Sequence, residues 1–174
     1  TVIRGGPSGP LPSPLPTSSV GGTHLYDAVY LAANELMKGE VGRKVLIVLS
    51  DGVDDGSQVK LDRALEAAQK ADIIIYCLNV SDPGFYWVRG MGYSGESVLK
   101  KISGETGGRV IRVERPRDTA AAFQQIADEL RTQYLLGYSS TNTRRDGSFR
   151  KIRVKVPKGN YKVQARRGYY APGE

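Results

Sequence analysis

The residue best placed to do chemistry is Asp51, which follows the apolar run Val45-Leu46-Ile47-Val48-Leu49 and Ser50, and precedes Gly52. An apolar run without alternation predicts a strand buried on both faces, and Ser-Asp-Gly at its end predicts a loop at the strand's carboxyl edge. In open parallel sheets, ligands bind at that edge. A carboxylate delivered there is either a ligand for a cation or polar partner, or the cap of a following helix. Asp54 and Asp55 add two carboxylates to the same loop, or cap the helix that Ser57 introduces. The stretch is not an EF-hand, which needs oxygens at alternate positions and a closing Glu, because Gln58 and Val59 follow instead.

Catalytic chemistry finds little support. His24 is the only histidine; it sits at the expected ligand edge, where it is either part of a site or a surface residue at a helix start. The chain has no Gly-x-Ser-x-Gly elbow, Walker loop, Gly-x-Gly-x-x-Gly after a strand, or Cys/His cluster for zinc. The single cysteine, Cys77, lies in the apolar run Ile73–Leu78, which excludes an intrachain disulfide and predicts a packed thiol. The chain therefore reads as non-enzymatic.

Two other stretches carry recognition chemistry. Between Asp82 and Ser94, Phe85, Tyr86, Trp87, Met91 and Tyr93 are mixed with glycines, which makes either a recognition surface anchored by Trp87 or a cover for a helix end. Near the C-terminus, Lys151, Arg153 and Lys155 alternate with Ile152, Val154 and Val156, and Lys162 and Arg166 continue the cationic side. That face is either a polyanion or nucleic-acid surface or a solvated one that discourages edge-to-edge aggregation. Tyr161 falls on the opposite, apolar side, so the stacking aromatics of single-strand binding are missing from the cationic face and nucleic acid is the weaker reading.

The elements that must position these residues follow from periodicity. Residues 1–19 hold five prolines and predict an extended linker or strap. Leu25, Val29, Ala32 and Leu36 share a helical stripe that stops at Gly39. After the Val45–Leu49 strand, Ser57 is placed to cap a helix striped by Leu61, Ala64, Leu65 and Ala68, and Ile73–Val80 is the next buried strand. A short helix around Val98, Leu99 and Ile102 ends at Gly107-Gly108, Arg109–Val113 is a third strand, and Asp118 caps a helix bearing Phe123, Ile126 and Leu130. This alternation predicts a Rossmann-like parallel sheet with helices on both faces. A sheet of three strands leaves an apolar edge open, which invites self-association or a partner chain.

Beyond residue 132 the period changes. Gln133–Tyr138 predicts a strand, and the segments around Ile152–Val156 and Tyr161–Ala165 flank the turn Pro157-Lys158-Gly159-Asn160, predicting an antiparallel hairpin whose apolar side rests on the α/β unit or pairs with its edge. Charge changes with it. Residues 1–140 carry 15 Lys and Arg against 16 Asp and Glu, while 141–174 carry 10 against 2, so the whole net charge of +7 comes from the tail. The expected organisation is a strap over 1–19, an α/β unit over 20–132 and a basic β extension over 133–174. No apolar run is long enough to span a bilayer.

Gly21-Gly22-Thr23 before a helix, the strand ending in Leu49-Ser50-Asp51-Gly52, and Leu99-Lys100-Lys101-Ile102-Ser103-Gly104-Glu105-Thr106-Gly107-Gly108 together resemble the later part of a von Willebrand factor type A domain. Tyr134–Tyr138 and the closing Arg166-Arg167-Gly168-Tyr169-Tyr170 are similar to a bacterial, acidobacterial-type subgroup of related proteins. The resemblance implies a metal-ion-dependent adhesion site built from an Asp-x-Ser-x-Ser loop, a Thr from a second loop and an Asp from a third. Thr23 matches the second and Asp51 the third; Asp-x-Ser-x-Ser occurs nowhere in this sequence. It also implies Mg²⁺, with Mn²⁺ or Ca²⁺ as substitutes, a protein ligand, an adhesion role and an extracytoplasmic setting.

Overall fold

The computed structural model describes residues 22–80 and 95–173. The proline-rich strap and the aromatic loop with Phe85, Tyr86 and Trp87 lie outside the described residues.

Three strands build the first sheet: β1 (Lys44–Ser50), β2 (Ile73–Asn79) and β3 (Val110–Arg112). They run parallel in the order β1-β2-β3, with Lys44 opposite Ile73 and Cys77 opposite Val110. The central strand has to be apolar on both faces, and it is. Ile73, Ile75 and Cys77 are buried to one side and Tyr76 and Leu78 to the other. Each fully buried aliphatic side chain contributes about 1.5–3 kcal/mol.

Among the described residues, four α-helices cover the two faces. α1 (Leu25–Leu31), α2 (Leu61–Lys70) and α3 (Gly95–Thr106) pack Leu25, Val29, Ala64, Leu65, Ala68, Leu99 and Ile102 onto one face. α4 (Thr119–Arg131) seals the other with Ala122 and Ile126. α3 ends at Gly107 in the left-handed conformation (φ +89°). Thr106 Oγ1 accepts the Ile75 N–H at 3.1 Å and donates to the carbonyl of Ile102 or Ser103, tying the helix end to β2. Cys77 is fully buried, and burial pushes its thiol up to about 12, so it is an inert packed group.

The stripes deviate in two places. The first helix passes into a π turn over Ala32–Leu36, whose wider winding brings Ala33 inward and leaves Leu36 65% exposed. On α4 the buried stripe is Ala122 and Ile126, and Phe123, one position on, is exposed.

The outer side of β1 has no strand partner among the described residues, and Leu49 on it is exposed.

The C-terminal segment forms an antiparallel pair, β4 (Phe149–Lys151) with β5 (Gly168–Tyr170), extended by the Ile152 N–H donating to the Arg167 carbonyl at 2.8 Å. The ladder stops there, and the segments Ile152–Val156 and Tyr161–Ala165, expected as the hairpin's strands, are irregular beyond it. Gln133–Tyr138, expected as a strand, is irregular, with Tyr134 92% exposed.

The orientation of the hairpin reverses the expectation. Gln164, Arg166 and Tyr170, all on one side by alternation, meet the α/β unit. The Gln164 amide donates to the Gly107 carbonyl at 3.1 Å, the Arg166 guanidinium pairs with Asp72 and donates to the Gln69 carbonyl, and the Tyr170 ring lies 5.1 Å from Lys70 Nζ. These partners sit at the C-terminal ends of α2 and α3, where unsatisfied carbonyls and the negative end of the dipole attract cations. Hydrogen bonding therefore draws in Arg166 and Gln164, while Lys151, Arg153, Lys155 and Lys162 stay exposed, as do Val156, Tyr161 and Val163.

Candidate functional site

The loops at the carboxyl edge of the sheet converge through backbone contacts. The Asp55 N–H donates to the Thr23 carbonyl at 2.9 Å, and a Cβ on Gly22 would overlap the Asp55 carbonyl oxygen. Gly52, in the left-handed conformation at φ +81°, lies so close to Gly95 at the start of α3 that a Cβ on either would overlap the other's loop. Small residues are required here because three chain segments meet without room for side chains.

Above that floor a network of caps locks the loops. Asp54 Oδ1 accepts the Tyr26 N–H at 3.0 Å, and Ser57 Oγ, which donates to Asp54 at 2.6 Å, lies 3.2 Å from the Tyr26 and Asp27 amides as their acceptor. These are first-turn donors of α1. Ser57 thus serves α1 rather than α2, whose N-cap position is Lys60 with no side-chain cap. Asp27 replies across the gap, accepting the Gln58 N–H at 3.0 Å and the Val59 N–H at 2.8 Å. Burial pushes the Asp27 carboxyl up, but these two amides and His24 outweigh it and hold the group below the usual carboxylate range.

Asp51 is half-buried at the end of β1, and its Oδ1 accepts the Val53 N–H at 3.0 Å while Ser50 Oγ accepts the Gly52 N–H at 2.9 Å. Thr23 is exposed on the adjoining loop. His24 is also exposed, with Nδ1 3.4 Å from Asp27 Oδ2, on the side of the capping network. Asp55 is exposed and holds Thr23 through its backbone.

One hydroxyl and one carboxylate suit a hard cation that keeps most of its water, as Mg²⁺ does. They do not suit zinc, which wants sulfur or nitrogen ligands. Among the described residues no three His, Cys, Asp or Glu side chains gather to hold a metal.

The basic residues divide. Lys151, Arg153, Lys155 and Lys162 are exposed, while Arg166 is turned into the α/β unit and engaged there.

Sequence reasoning missed three residues of this edge. Asp27 carries only the signal of an acidic residue in a first helical turn, Ser57 binds α1 rather than the helix that follows it in sequence, and Asn79, fully buried where β2 ends, has as its signal a polar residue closing an apolar run.

Among the described residues, no helix is long and apolar enough to cross a membrane. A family model described as the von Willebrand factor type A domain matches residues 13–129, about two thirds of the chain. No curated protein matches the chain. The crystal structure of an uncharacterised membrane-spanning protein from Vibrio fischeri is similar at 22% identity, over 56% of this chain and 52% of its own, with a TM-score of 0.41. The chain spans about half the length of that protein's structure.

Proposed function

This chain belongs to the von Willebrand factor type A domain family, and on that premise we propose that it is a non-enzymatic protein-binding module whose working surface is the carboxyl edge of the sheet. The observation that supports this reading is the convergence of the Thr23 loop, the Asp51–Ser57 loop and the start of α3, held by the Asp55 to Thr23 hydrogen bond and the approach of Gly52 to Gly95. A surface fixed by backbone contacts is preorganised, so little ordering entropy is lost on binding.

In this reading Thr23 and Asp51 are the chain's ligands for a divalent cation, Mg²⁺ by preference, with Mn²⁺ or Ca²⁺ able to substitute. Supplied there, the cation offers an open coordination position to a carboxylate of the partner protein. The chain's own residues do the positioning: Val53 N–H orients the Asp51 carboxylate, and the Asp55 N–H fixes the Thr23 loop beside it. Ligands beyond these two come from water, the partner, or residues outside those described. The family's interaction role carries with it the proposal of an adhesive function in an extracytoplasmic setting.

The test is thermal unfolding in millimolar Mg²⁺ or Mn²⁺ against EDTA, on the wild type and on Asp51→Ala. A cation-dependent rise that disappears in the variant is the expected result, because a ligand that binds only the folded state raises the midpoint. No rise in the wild type would remove the cation from the proposal.

A further inference from the structure

Positive charge is concentrated in the C-terminal extension. Residues 147–173 hold eight Lys and Arg and no Asp or Glu. Three of the eight are engaged: Arg150 donates to the Asn142 and Arg144 carbonyls, Arg166 pairs with Asp72, and the Arg167 guanidinium faces Glu105 at 3.7 Å. Lys151, Arg153, Lys155, Lys158 and Lys162 are exposed and form no ion pair among the described residues.

These cations are mixed with apolar side chains. Every residue from 155 to 165 is exposed, and this tip places Lys155, Lys158 and Lys162 among Val156, Pro157, Tyr161 and Val163. Val156, Tyr161 and Val163 are 48%, 71% and 41% exposed, so the apolar content is open to solvent along with the charge. The Tyr161 ring lies over the turn, where Gly159 is left-handed (φ +92°) and a Cβ would strike the ring. A solvated basic surface needs no apolar side chains, whereas this tip suits a partner that is both anionic and apolar.

Two such partners differ in what lies behind their phosphates. Single-stranded nucleic acid offers base faces, which stack on aromatic rings and guanidinium planes and make no use of Val156 and Val163. An anionic bilayer offers hydrocarbon just beneath its phosphates, with tyrosine favoured at the boundary between them. The aliphatic side chains of the tip therefore favour the bilayer.

We propose that residues 155–163 attach the protein to the surface of a bilayer containing anionic phospholipid. Lys155, Lys158 and Lys162 meet the phosphates, Val156, Tyr161 and Val163 enter the headgroup region, and Lys151 and Arg153 add attraction from further back. So short a tip buries little apolar area, so attachment needs both contributions and is reversible. The base of the extension docks beside Asp72 and Gly107, which precede β2 and β3 at the amino edge of the sheet. The carboxyl edge with Thr23 and Asp51 is at the other end, and attachment through the tip leaves it open to a protein partner.

The test sediments the whole chain with vesicles of equal parts phosphatidylglycerol and phosphatidylcholine, and with vesicles of phosphatidylcholine alone. Partition onto the first and not the second is expected, weakened by added salt. A lysine near such a surface is worth roughly fivefold in partitioning. The combined variant Lys155→Gln, Lys158→Gln, Lys162→Gln is therefore expected to bind on the order of 100-fold more weakly. Lys60→Gln, at an exposed lysine ahead of α2, is expected to bind as the wild type does. Two variants keep the charge and remove apolar contact, Tyr161→Ser and the pair Val156→Ser, Val163→Ser, and each is expected to weaken binding several-fold. All substituted positions are exposed, the thermal midpoint checks that each variant is folded, and the lysine and apolar sets are independent, so the test stands if one variant fails to fold. Absence of partition onto the anionic vesicles overturns the proposal, as does a loss in Lys60→Gln matching that of a tip lysine. Wild-type binding by the valine pair overturns it too, and displacement from the vesicles by a single-stranded oligonucleotide would then reassign the tip to nucleic acid.

Discussion

The Asp55 N–H donates to the Thr23 carbonyl at 2.9 Å, a bond that ties the loop entering α1 to the loop leaving β1. Gly22 makes the bond possible, because a side chain there would strike the Asp55 carbonyl oxygen. Gly22→Ala must therefore push the loops apart. It is expected to cost about 1–3 kcal/mol, the range for forced overpacking, read as a lower midpoint in urea. An unchanged midpoint would show that the loops are not rigidly held.

Ser57 is bonded to the first amides of α1, not to those of α2. Loss of such a cap typically costs about 1 kcal/mol. In Ser57→Ala, hydrogen exchange is expected to speed up at the Tyr26 and Asp27 amides and to stay unchanged in the first turn of α2. The reverse pattern would restore the assignment suggested by the sequence.

Asp27 carries a pH signature. Burial alone would raise its carboxyl, but the amides of Gln58 and Val59 and the neighbouring His24 bind the ionised form, and the folded-state value is lowered. A depressed carboxyl adds stability that is fully present above its unfolded value, about 3.9, and that disappears as the pH falls through the lower folded value. The midpoint of the wild type is expected to drop across that window more steeply than that of Asp27→Asn. Parallel curves would show that the carboxylate does not bridge the two loops.

Arg166 anchors the C-terminal hairpin through Asp72 and the Gln69 carbonyl. Asp72 is largely exposed, so the ion pair itself adds little, on the order of 0–1 kcal/mol. Arg166→Ala is expected to leave the global midpoint nearly unchanged but to speed limited proteolysis around Lys158, because docking rather than core packing is lost. Proteolysis at the wild-type rate would mean that Gln164 and Tyr170 suffice.

The parallel sheet was legible because β1 and β2 are uninterrupted apolar runs, and burial on both faces is the only environment that suits them. Helix positions were legible from stripes such as Leu61, Ala64, Leu65 and Ala68. The π turn was not, since Leu36 fits an ideal stripe and only the wider winding over Ala32–Leu36 turns it outward. That an antiparallel hairpin closes the chain could be read from alternation, yet its register and orientation could not. The orientation is decided by carbonyls at the ends of α2 and α3, which accept from Arg166 and Gln164, and no local pattern in 149–170 announces them. At the candidate site, Asp51 stood out because a buried strand delivers it, whereas the reciprocal caps of Asp27, Asp54 and Ser57 join positions about thirty residues apart and are invisible to a reading made along the chain.

The central claim is that Thr23 and Asp51 form the chain's part of a divalent-cation surface. Its most direct test is the unfolding midpoint of the wild type and Asp51→Ala, each in millimolar Mg²⁺ and in EDTA. The account predicts a rise with Mg²⁺ in the wild type, amounting to about 1.4 kcal/mol when the ion is at roughly ten times its dissociation constant, and none in the variant. Equal midpoints in Mg²⁺ and EDTA for the wild type, or an equal rise in both proteins, would contradict it.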